Sequence, residues 1–230
     1  MHDAGREIVL DTETTGVDNK KNRVIEIGAL EVINKMPTGN TYHVYLNPEQ
    51  EVEAGALRVH GLTNEFLSDK ALFADEVDNF LAFMGDSPLV AHNAPFDVGF
   101  LNMELEKMGR AVMHNEVVDT LVIARKKFPG ARASLDALCQ RFEVDSTERV
   151  LHGALLDAEL LAEVYLQLCG GLQHDLALSA ETAEGGKSSK LSGAQGEKRE
   201  ARTFSVNAEE LSAHQTFIAE TVKNSLWNKE

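Results

Sequence analysis

The chain has 230 residues and a formal net charge of −15 at pH 7, and 43% of its residues are hydrophobic, enough for a sizeable core. This acidity argues against a protein that wraps duplex DNA with a basic surface, but it permits one that binds cations or contacts nucleic acid only locally. The sequence shows no secretory signal, no apolar run of the roughly 18 residues that a membrane span needs, and no metal-type spacing around Cys139 or Cys169.

The first 178 residues alternate between strand-like and helix-like segments. Apolar or alternating runs predict strands at 8–10, 24–33, 41–46, 88–91 and 117–118. Helical spacing and caps predict helices at 74–84, 96–108, 134–141 and 154–169. Strands that come first and then mix with helices indicate an α/β domain with a mixed central sheet flanked by helices.

Residues 179–202 differ in composition from the rest of the chain. They contain a single large apolar residue, Leu191, among many Gly, Ser, Ala, Glu and Lys residues. Such a segment buries too little apolar area to offset the entropy of ordering it. We therefore expect a flexible linker here.

The segment after the linker predicts an amphipathic helix. Asn207 and Glu210 have the spacing of a capping box. The apolar residues that follow share one helical stripe and its end: Leu211, Ile218, Val222, Leu226 and Trp227. A lone helix of this length is marginal in water, so its stripe needs a partner. That partner is either the preceding domain or a separate protein, and the length of the linker favours a separate protein.

The stretch EIVLDTETTG, residues 7–16, ends an apolar strand with two carboxylates. Residues i and i+2 of a strand point to the same face, so Asp11 and Glu13 project together. Like charges this close repel, and burial would raise their pKa values. Either this is a solvated turn at the end of a strand, or a divalent cation relieves the repulsion. Thr14, Thr15 and Gly16 would then leave an open approach with hydroxyl and N–H groups.

A third carboxylate lies in LVAHNAPFDVGFL, residues 89–101. Proline is expected near the first position of a helix, and Asp97 lies in the first turn, where a negative charge suits the helix dipole. Asp97 is also one turn from Leu101 on an inward stripe. It is therefore either a charge that stabilises the helix start or a group directed toward the core.

The fourth carboxylate is Asp157, on the same helix face as Leu160, Leu161, Val164 and Leu168. An aspartate on an apolar stripe needs a compensating partner, and no side chain in the sequence is an evident one, so a metal ion would serve. Five residues of regular helix correspond to roughly 500°, so His152 and Asp157 would diverge by about 140° within one helix. His152 is therefore expected just before the helix, where it can accept a proton from water.

Four carboxylates and a histidine at the ends of elements suit phosphodiester hydrolysis with two divalent cations, Mg²⁺ or Mn²⁺. In order, DTETTG, NAPFD and HGALLD resemble the three motifs of the DnaQ-like (DEDDh) 3′→5′ exonucleases, over about the first 175 residues. The resemblance implies an RNase H-like fold. It also implies that Asp11, Glu13, Asp97 and Asp157 are metal ligands and that His152 is the general base.

The chain also contains VHGLT (59–63), VVDTLVIARKKFPGARASLDALCQRF (117–142), GGLQHDLAL (170–178) and a tail that ends in SLWNKE. These segments resemble those of one branch of that family, the epsilon proofreading subunits of bacterial DNA polymerase III. The resemblance divides the chain into an exonuclease domain (1–175), a clamp-binding peptide with linker (172–202) and a polymerase-binding tail (203–230). It implies that frayed or single-stranded DNA 3′ ends are the substrate, and that the polymerase alpha subunit and the sliding clamp are partners in the bacterial cytoplasm. Whether a small theta-like stabilising subunit is also a partner, as in some relatives, stays open from the sequence.

The same resemblance supplies contact residues. Candidates for substrate contacts are Thr12, Thr14, Thr15, Gly16, His60 (in VHGLT), Asn93 and Phe96. Candidates for clamp contacts are Gln173, Leu176 and Leu178, and those for polymerase contacts are Leu211, Ile218, Val222, Leu226 and Trp227. Asp119 is interpreted as structural and not as a fifth ligand.

Two other functions remain open from the sequence. A DEDDh exoribonuclease would share the five catalytic residues, although such enzymes generally lack the linker and tail. A non-catalytic adaptor between clamp and polymerase would need no intact catalytic set, so the complete set argues against it.

Overall fold

The computed structural model describes residues 5–147, 149, 151–171 and 207–221. It divides the chain into two compact units, Met1–Ala177 and Leu178–Glu230. The strands of the first unit are β1 (Arg6–Thr14), β2 (Val24–Ile33), β3 (Met36–Tyr45), β4 (Leu89–Ala91) and β5 (Val117–Asp119). Its helices are α1 (Ala54–His60), α2 (Asn64–Leu67), α3 (Phe73–Met84), α4 (Pro95–Lys107), α5 (Thr120–Lys127), α6 (Leu135–Phe142) and α7 (Ala154–Leu168).

The sheet is mixed, as the sequence predicts, with the strand order β3-β2-β1-β4-β5. β1 is antiparallel to β2 and parallel to β4, and β4 is parallel to β5. The central strand is fully enclosed, because Ile8, Val9 and Leu10 have no exposed surface. Each such burial contributes about 1.5–3 kcal/mol, so β1 is a rigid support for the residues at its carboxyl end.

The two faces of β1 pack against different helices. Ile8 and Leu10 lie in a core with residues of α3 and α4, including Phe80 and Leu101. Val9 lies in a second core with residues of α6 and α7, including Leu161. Because side chains alternate along a strand, the odd-numbered residues of β1 face α7 and the even-numbered ones face α4.

The start of α7 comes unusually close to the sheet at Gly28. Gly28 is the residue of β2 that pairs with Asp11 of β1. A Cβ on Gly28 would lie 2.1 Å from the backbone nitrogen of Leu155, so only glycine allows this approach. Cross-strand partners share a face, and the first turn of α7 is therefore brought beside Asp11.

The elements differ from the sequence-based ones in a few places. β3 begins at Met36 and not at Thr41; Pro37 and Gly39 disfavour a strand, but an edge strand tolerates them. Three helices, α1, α2 and α5, are not predicted from the sequence, because they are short and have little apolar periodicity.

The second unit contains α8 (Ala208–Thr221). Asn207 caps it, since the Asn207 side-chain oxygen accepts from the backbone N–H of Glu209 at 3.1 Å. Leu211 is 49% exposed and Ile218 is buried. The predicted linker, the clamp residues Gln173, Leu176 and Leu178, and the tail residues Val222, Leu226 and Trp227 lie outside the described residues. Among the described helices, none is both long and apolar enough to cross a membrane.

Candidate active site

The four predicted carboxylates converge on one cavity at the carboxyl end of β1. Asp11 and Glu13 lie on the face of β1 that packs against α7, and Asp157 lies in the first turn of α7. Asp97 comes from the first turn of α4, on the other face of the sheet. These four residues and His152 line a cavity of about 250 Å³. The structure thus brings together five residues that are up to 146 positions apart in the chain (157 − 11).

Asp97 is fixed between β1 and α4 by Thr12. The backbone N–H and the hydroxyl of Thr12 donate to Asp97 Oδ1, at 3.0 and 2.7 Å. Asp97 is 2% exposed and so depends on these two donors. Its position in the first turn of α4 therefore serves the cavity as well as the helix dipole.

Asp157 is paired with Arg149, a partner that the sequence pattern does not predict. The Nε and Nη2 atoms of Arg149 donate to the two carboxylate oxygens of Asp157, the second at 2.7 Å. A third guanidinium nitrogen, Nη1, donates to Asp136 on α6. In the structure Asp157 thus has a compensating side chain that is not evident from the sequence. Arg149 lies in the loop before α7, so no helical periodicity relates it to Asp157.

His152 lies before α7, as predicted, because the helix begins at Ala154 with Gly153 as its cap. The His152 backbone N–H donates to the carbonyl of Val59 at 3.2 Å, which anchors the loop to α1. Its side chain is 43% exposed, with Nδ1 3.1 Å from Asp157 Oδ2. The same Nδ1 is 2.8 Å from Arg149 Nη2, which donates to it.

The carboxylates on the β1 side carry an electrostatic penalty. Burial, followed by the charge of Glu26 on the paired strand, raises the pKa of Glu13 to about 8. Burial also raises the pKa of Asp97 to about 7, despite the opposing hydrogen bonds from Thr12. Burial and then the charge of Asp97 raise the pKa of Asp11 well above its usual range. These groups resist ionisation together unless a cation lies among them.

Asp157 shows the opposite shift. Burial would raise its pKa, but the neighbouring His152 ring and the hydrogen bonds from Arg149 outweigh burial, and the pKa of Asp157 falls below its usual value. Asp157 is thus ionised and already paired.

The donor set fits divalent cations. Glu13, His152 and Asp157 each place a ligand atom within 4.8 Å of the others, and Asp11 and Asp97 line the same cavity. Carboxylate oxygens are the ligands that Mg²⁺ and Mn²⁺ prefer. The raised pKa values of Glu13 and Asp97 identify charge that a cation would stabilise.

A second cavity, of about 410 Å³, adjoins the first and is lined by most of the predicted substrate contacts. The predicted substrate contacts that line this second cavity are Thr12, Thr14, Gly16, His60 and Phe96. Phe96 also lines the first cavity, together with Asn93.

Thr15 is an exception among the predicted substrate contacts. It is fully buried, and its hydroxyl oxygen accepts from the backbone N–H of Arg23 at 3.0 Å and from Gln50 at 2.7 Å. With its hydroxyl held by the protein and its side chain away from both cavities, Thr15 supports the loop and does not face a ligand.

His60 has an unpaired polar atom at the second cavity. It is 4% exposed, and its Nδ1 accepts from the backbone N–H of Leu62 at 3.0 Å. Nε2 therefore carries the hydrogen in the neutral ring, and it has no hydrogen-bond partner among the described residues. A buried donor of this kind is available to a ligand.

Asp119 has a structural role, as the sequence analysis expects. Its Oδ1 accepts from the backbone N–H of Leu121 at 2.9 Å, which caps α5. The same atom accepts from the backbone N–H of Asn93 at 3.1 Å and so supports Asn93 at a φ of +69°. Asp119 does not line either cavity.

Comparisons with known proteins agree with this arrangement. Residues 8–165 match the family model described as Exonuclease. The chain is 45% identical to the DNA polymerase III subunit epsilon of Rickettsia felis. The alignment extends over 227 residues and covers 96% of this chain and 98% of that protein.

Solved structures show the same fold. Exonuclease X in complex with 5′ overhanging duplex DNA is 26% identical, with a TM-score of 0.57 over 70% of this chain and 89% of that one. The nuclease domain of 3′hExo, a DEDDh family member bound to rAMP, is 14% identical, with a TM-score of 0.63 over 73% of this chain and 93% of that one. At that identity, the second likeness concerns the fold alone.

Proposed function

Because the chain belongs to the Exonuclease family and, within it, to the epsilon subunits of DNA polymerase III, we propose that it removes mismatched or frayed 3′ ends during DNA synthesis. The observation that carries this proposal is the cavity that gathers Asp11, Glu13, Asp97, Asp157 and His152 inside the matched segment. The products would be nucleoside 5′-monophosphates.

The four carboxylates are the metal ligands in this proposal. Asp11 and Glu13 approach from β1, Asp97 from α4 and Asp157 from α7. Two bound ions, Mg²⁺ or Mn²⁺, would supply an activated water and stabilisation of the leaving oxygen. The protein's own contribution is to hold the carboxylates in place on a buried strand and on two helix starts.

His152 is the general base. It lies at the rim of the cavity, is partly exposed and is held by its backbone to α1, so its ring reaches both water and the carboxylates. It takes the proton from the attacking water, a role worth about 10²–10⁴-fold in rate.

The second cavity receives the terminal nucleotide. It shares Thr12, Glu13 and Phe96 with the catalytic cavity, so a nucleotide bound there would have its phosphate near the carboxylates. The free Nε2–H of His60 would donate to an oxygen or nitrogen acceptor of that nucleotide. Frayed ends are favoured, because a mismatched end costs less to unstack than a paired one.

The remaining segments connect the nuclease to its partners. In this proposal residues 1–175 form the nuclease domain, 172–202 the clamp-binding peptide and linker, and 203–230 the tail that binds the polymerase alpha subunit in the cytoplasmic replisome. Support for the tail assignment comes from α8, which lies within residues 203–230 and has an apolar residue, Leu211, that is 49% exposed. Deletion of residues 203–230 should abolish co-elution with the alpha subunit and leave nuclease activity intact; retained co-elution would contradict the assignment.

The nuclease proposal is tested with a 5′-labelled DNA primer that ends in a mismatch, incubated with the full chain and Mg²⁺ or Mn²⁺. We expect stepwise shortening that EDTA abolishes, faster than on a matched primer. Asp11→Ala, purified in parallel, should fold normally and lack activity, which controls for contaminating nucleases.

An RNA oligomer of the same sequence distinguishes the exoribonuclease alternative. Faster shortening of RNA than of DNA would replace the proposed substrate. Failure to shorten either substrate would contradict catalysis and favour the adaptor.

A further inference from the structure

Arg149 occupies an unusual place for a cationic side chain. Among the described residues that line the catalytic cavity it is the only lysine or arginine, and four of the others are carboxylates assigned to the metals. Its side chain is 8% exposed, although it belongs to a loop. Nothing in the proposed reaction uses it.

We propose that Arg149 is an internal counter-ion that holds the α7 side of the metal site in the metal-free protein and must leave Asp157 before this carboxylate binds a cation. The inference rests on the proposed function, since it takes Asp157 as a metal ligand. It assigns to the protein a built-in competitor for its own metals.

The first argument is the geometry of the pair. Nε and Nη2 of Arg149 engage both oxygens of Asp157, a bidentate arrangement that uses the carboxylate fully. The ligand atoms of Glu13, His152 and Asp157 lie within 4.8 Å of one another. A guanidinium bound to Asp157 therefore lies where a cation shared by Asp157 and Glu13 would bind, and two cations so close repel each other.

The second argument concerns the general base. Arg149 Nη2 donates to His152 Nδ1 at 2.8 Å. While that hydrogen bond exists, the Nδ1 lone pair cannot accept a proton from water. Departure of Arg149 would thus free a metal ligand and the base together.

The third argument is that Arg149 has a second anchor outside the carboxylate cluster. Its Nη1 donates to Asp136, whose side chain is 71% exposed at the start of α6. Arg149 can therefore leave Asp157 and keep an ionic partner. The described residues between α6 and α7 form no helix or strand, so such a displacement breaks no regular element.

Two other roles for Arg149 make different predictions. If it permanently orients Asp157, its removal lowers metal affinity. If it contacts only the substrate phosphate, its removal lowers activity and leaves metal affinity unchanged. Only an internal competitor predicts tighter metal binding after removal of the guanidinium.

The test is calorimetric titration of Mn²⁺ into the full chain without DNA. Arg149→Met keeps an apolar stem like that of arginine and removes the guanidinium with its charge, and it should tighten Mn²⁺ binding by roughly 5-fold or more. Asp136→Asn weakens the contact between Arg149 and Asp136, so Arg149 depends more on Asp157. This variant should therefore bind Mn²⁺ more weakly than the wild type, by a smaller factor than the change in Arg149→Met. Arg132→Met, an exposed arginine outside the site, should match the wild type.

Thermal unfolding supplies an independent readout. In EDTA, Arg149→Met should melt below the wild type, because the buried Asp157 loses its guanidinium partner, and Mn²⁺ should raise the melting temperature of the variant more than that of the wild type. If Arg149→Met does not fold in EDTA, two other variants serve as the test. Arg149→Lys has fewer hydrogen-bond donors for Asp157 and should bind Mn²⁺ more tightly than the wild type, and Asp136→Asn should bind it more weakly.

Unchanged or weaker Mn²⁺ binding by Arg149→Met, or by Arg149→Lys where the first does not fold, would overturn the role of Arg149 and leave the nuclease proposal standing. Absence of Mn²⁺ binding by every variant would overturn the metal site itself. The primer assay is separate from both titrations, so a failure of the proposed function is recognisable by itself.

Discussion

On the β1 side of the catalytic cavity, Asp11 and Glu13 are neighbours on a buried strand and carry raised pKa values. On the α7 side, Asp157 is buried as well, but it is paired with Arg149 and has a lowered pKa. The same chemical group is thus in opposite electrostatic states on two sides of one cavity.

The difference follows from how each side is built. β1 is fixed by the paired strands and by packing on both faces, so its carboxylates stay together whatever the repulsion costs. The α7 side is completed by a loop, and a loop can bring in a compensating side chain such as Arg149. The sheet therefore supplies fixed geometry, and the loop supplies adjustable charge.

The largest expected effect comes from removing the proposed general base, His152, on the α7 side of the cavity. His152→Gln should lower kcat on the mismatched primer by about 10²–10⁴-fold, because glutamine cannot accept the proton of the attacking water. Mn²⁺ binding, measured by titration, should remain within a few-fold of the wild type, since the carboxylates are intact.

The exposed loop histidine His114 provides the matched control, and His114→Gln should retain full activity. Activity of His152→Gln close to that of the wild type would remove His152 from the mechanism.

Most of the fold and of the β1 side follows from local periodicity. The period of a strand places Asp11 and Glu13 on one face, and the period of a helix places Asp157 on a buried face and His152 before the helix start. These relations join residues at most five positions apart, and the structure keeps them.

The parts that the sequence does not reveal depend on contacts between distant segments. Arg149 meets Asp157 through the path of a loop, and no repeating pattern marks that path. Thr15 resembles an open hydroxyl at the end of a strand until the fold supplies Arg23 and Gln50 as its partners. Gly28 is significant only because its strand register places it opposite Asp11 and beneath α7.

A smaller effect is expected where the two sides are joined. Gly28→Ala would place a Cβ 2.1 Å from the backbone of Leu155, so α7 must move away from the sheet. Such overpacking typically costs about 1–3 kcal/mol of unfolding free energy. Displacement of Asp157 from Asp11 by about 1 Å should lower activity by roughly 10²-fold. Urea denaturation and the primer assay measure the two effects.

Gly99→Ala on α4 is the control for this substitution. Its Cβ would meet only the end of the Asn19 side chain, at 3.1 Å. The variant should therefore be active, and any loss of unfolding free energy should not exceed a few tenths of a kcal/mol. Normal activity of Gly28→Ala would mean that close packing of α7 does not set the position of Asp157.

The smallest effect compares the two sides through pH, in EDTA. A carboxyl with a raised pKa in the folded protein binds more protons than the unfolded chain does, so its contribution to stability falls as pH rises. For Glu13, with a pKa of about 8, this decline runs from the ordinary value of a glutamate up to about pH 8. Asp157, with a lowered pKa, contributes stability above the ordinary value of an aspartate and loses it as pH falls through its folded pKa.

Denaturant unfolding between acidic and mildly alkaline pH should therefore show two opposite limbs. Glu13→Gln should flatten the decline toward pH 8 by about 1 kcal/mol or more, since one tenfold displacement of a protonation equilibrium is worth about 1.4 kcal/mol. Glu159→Gln, which removes an exposed carboxylate from α7, should keep the wild-type slope. An unchanged slope in Glu13→Gln would mean that the β1 side is not strained by its own charge, because the free protein already compensates Glu13 as Arg149 compensates Asp157.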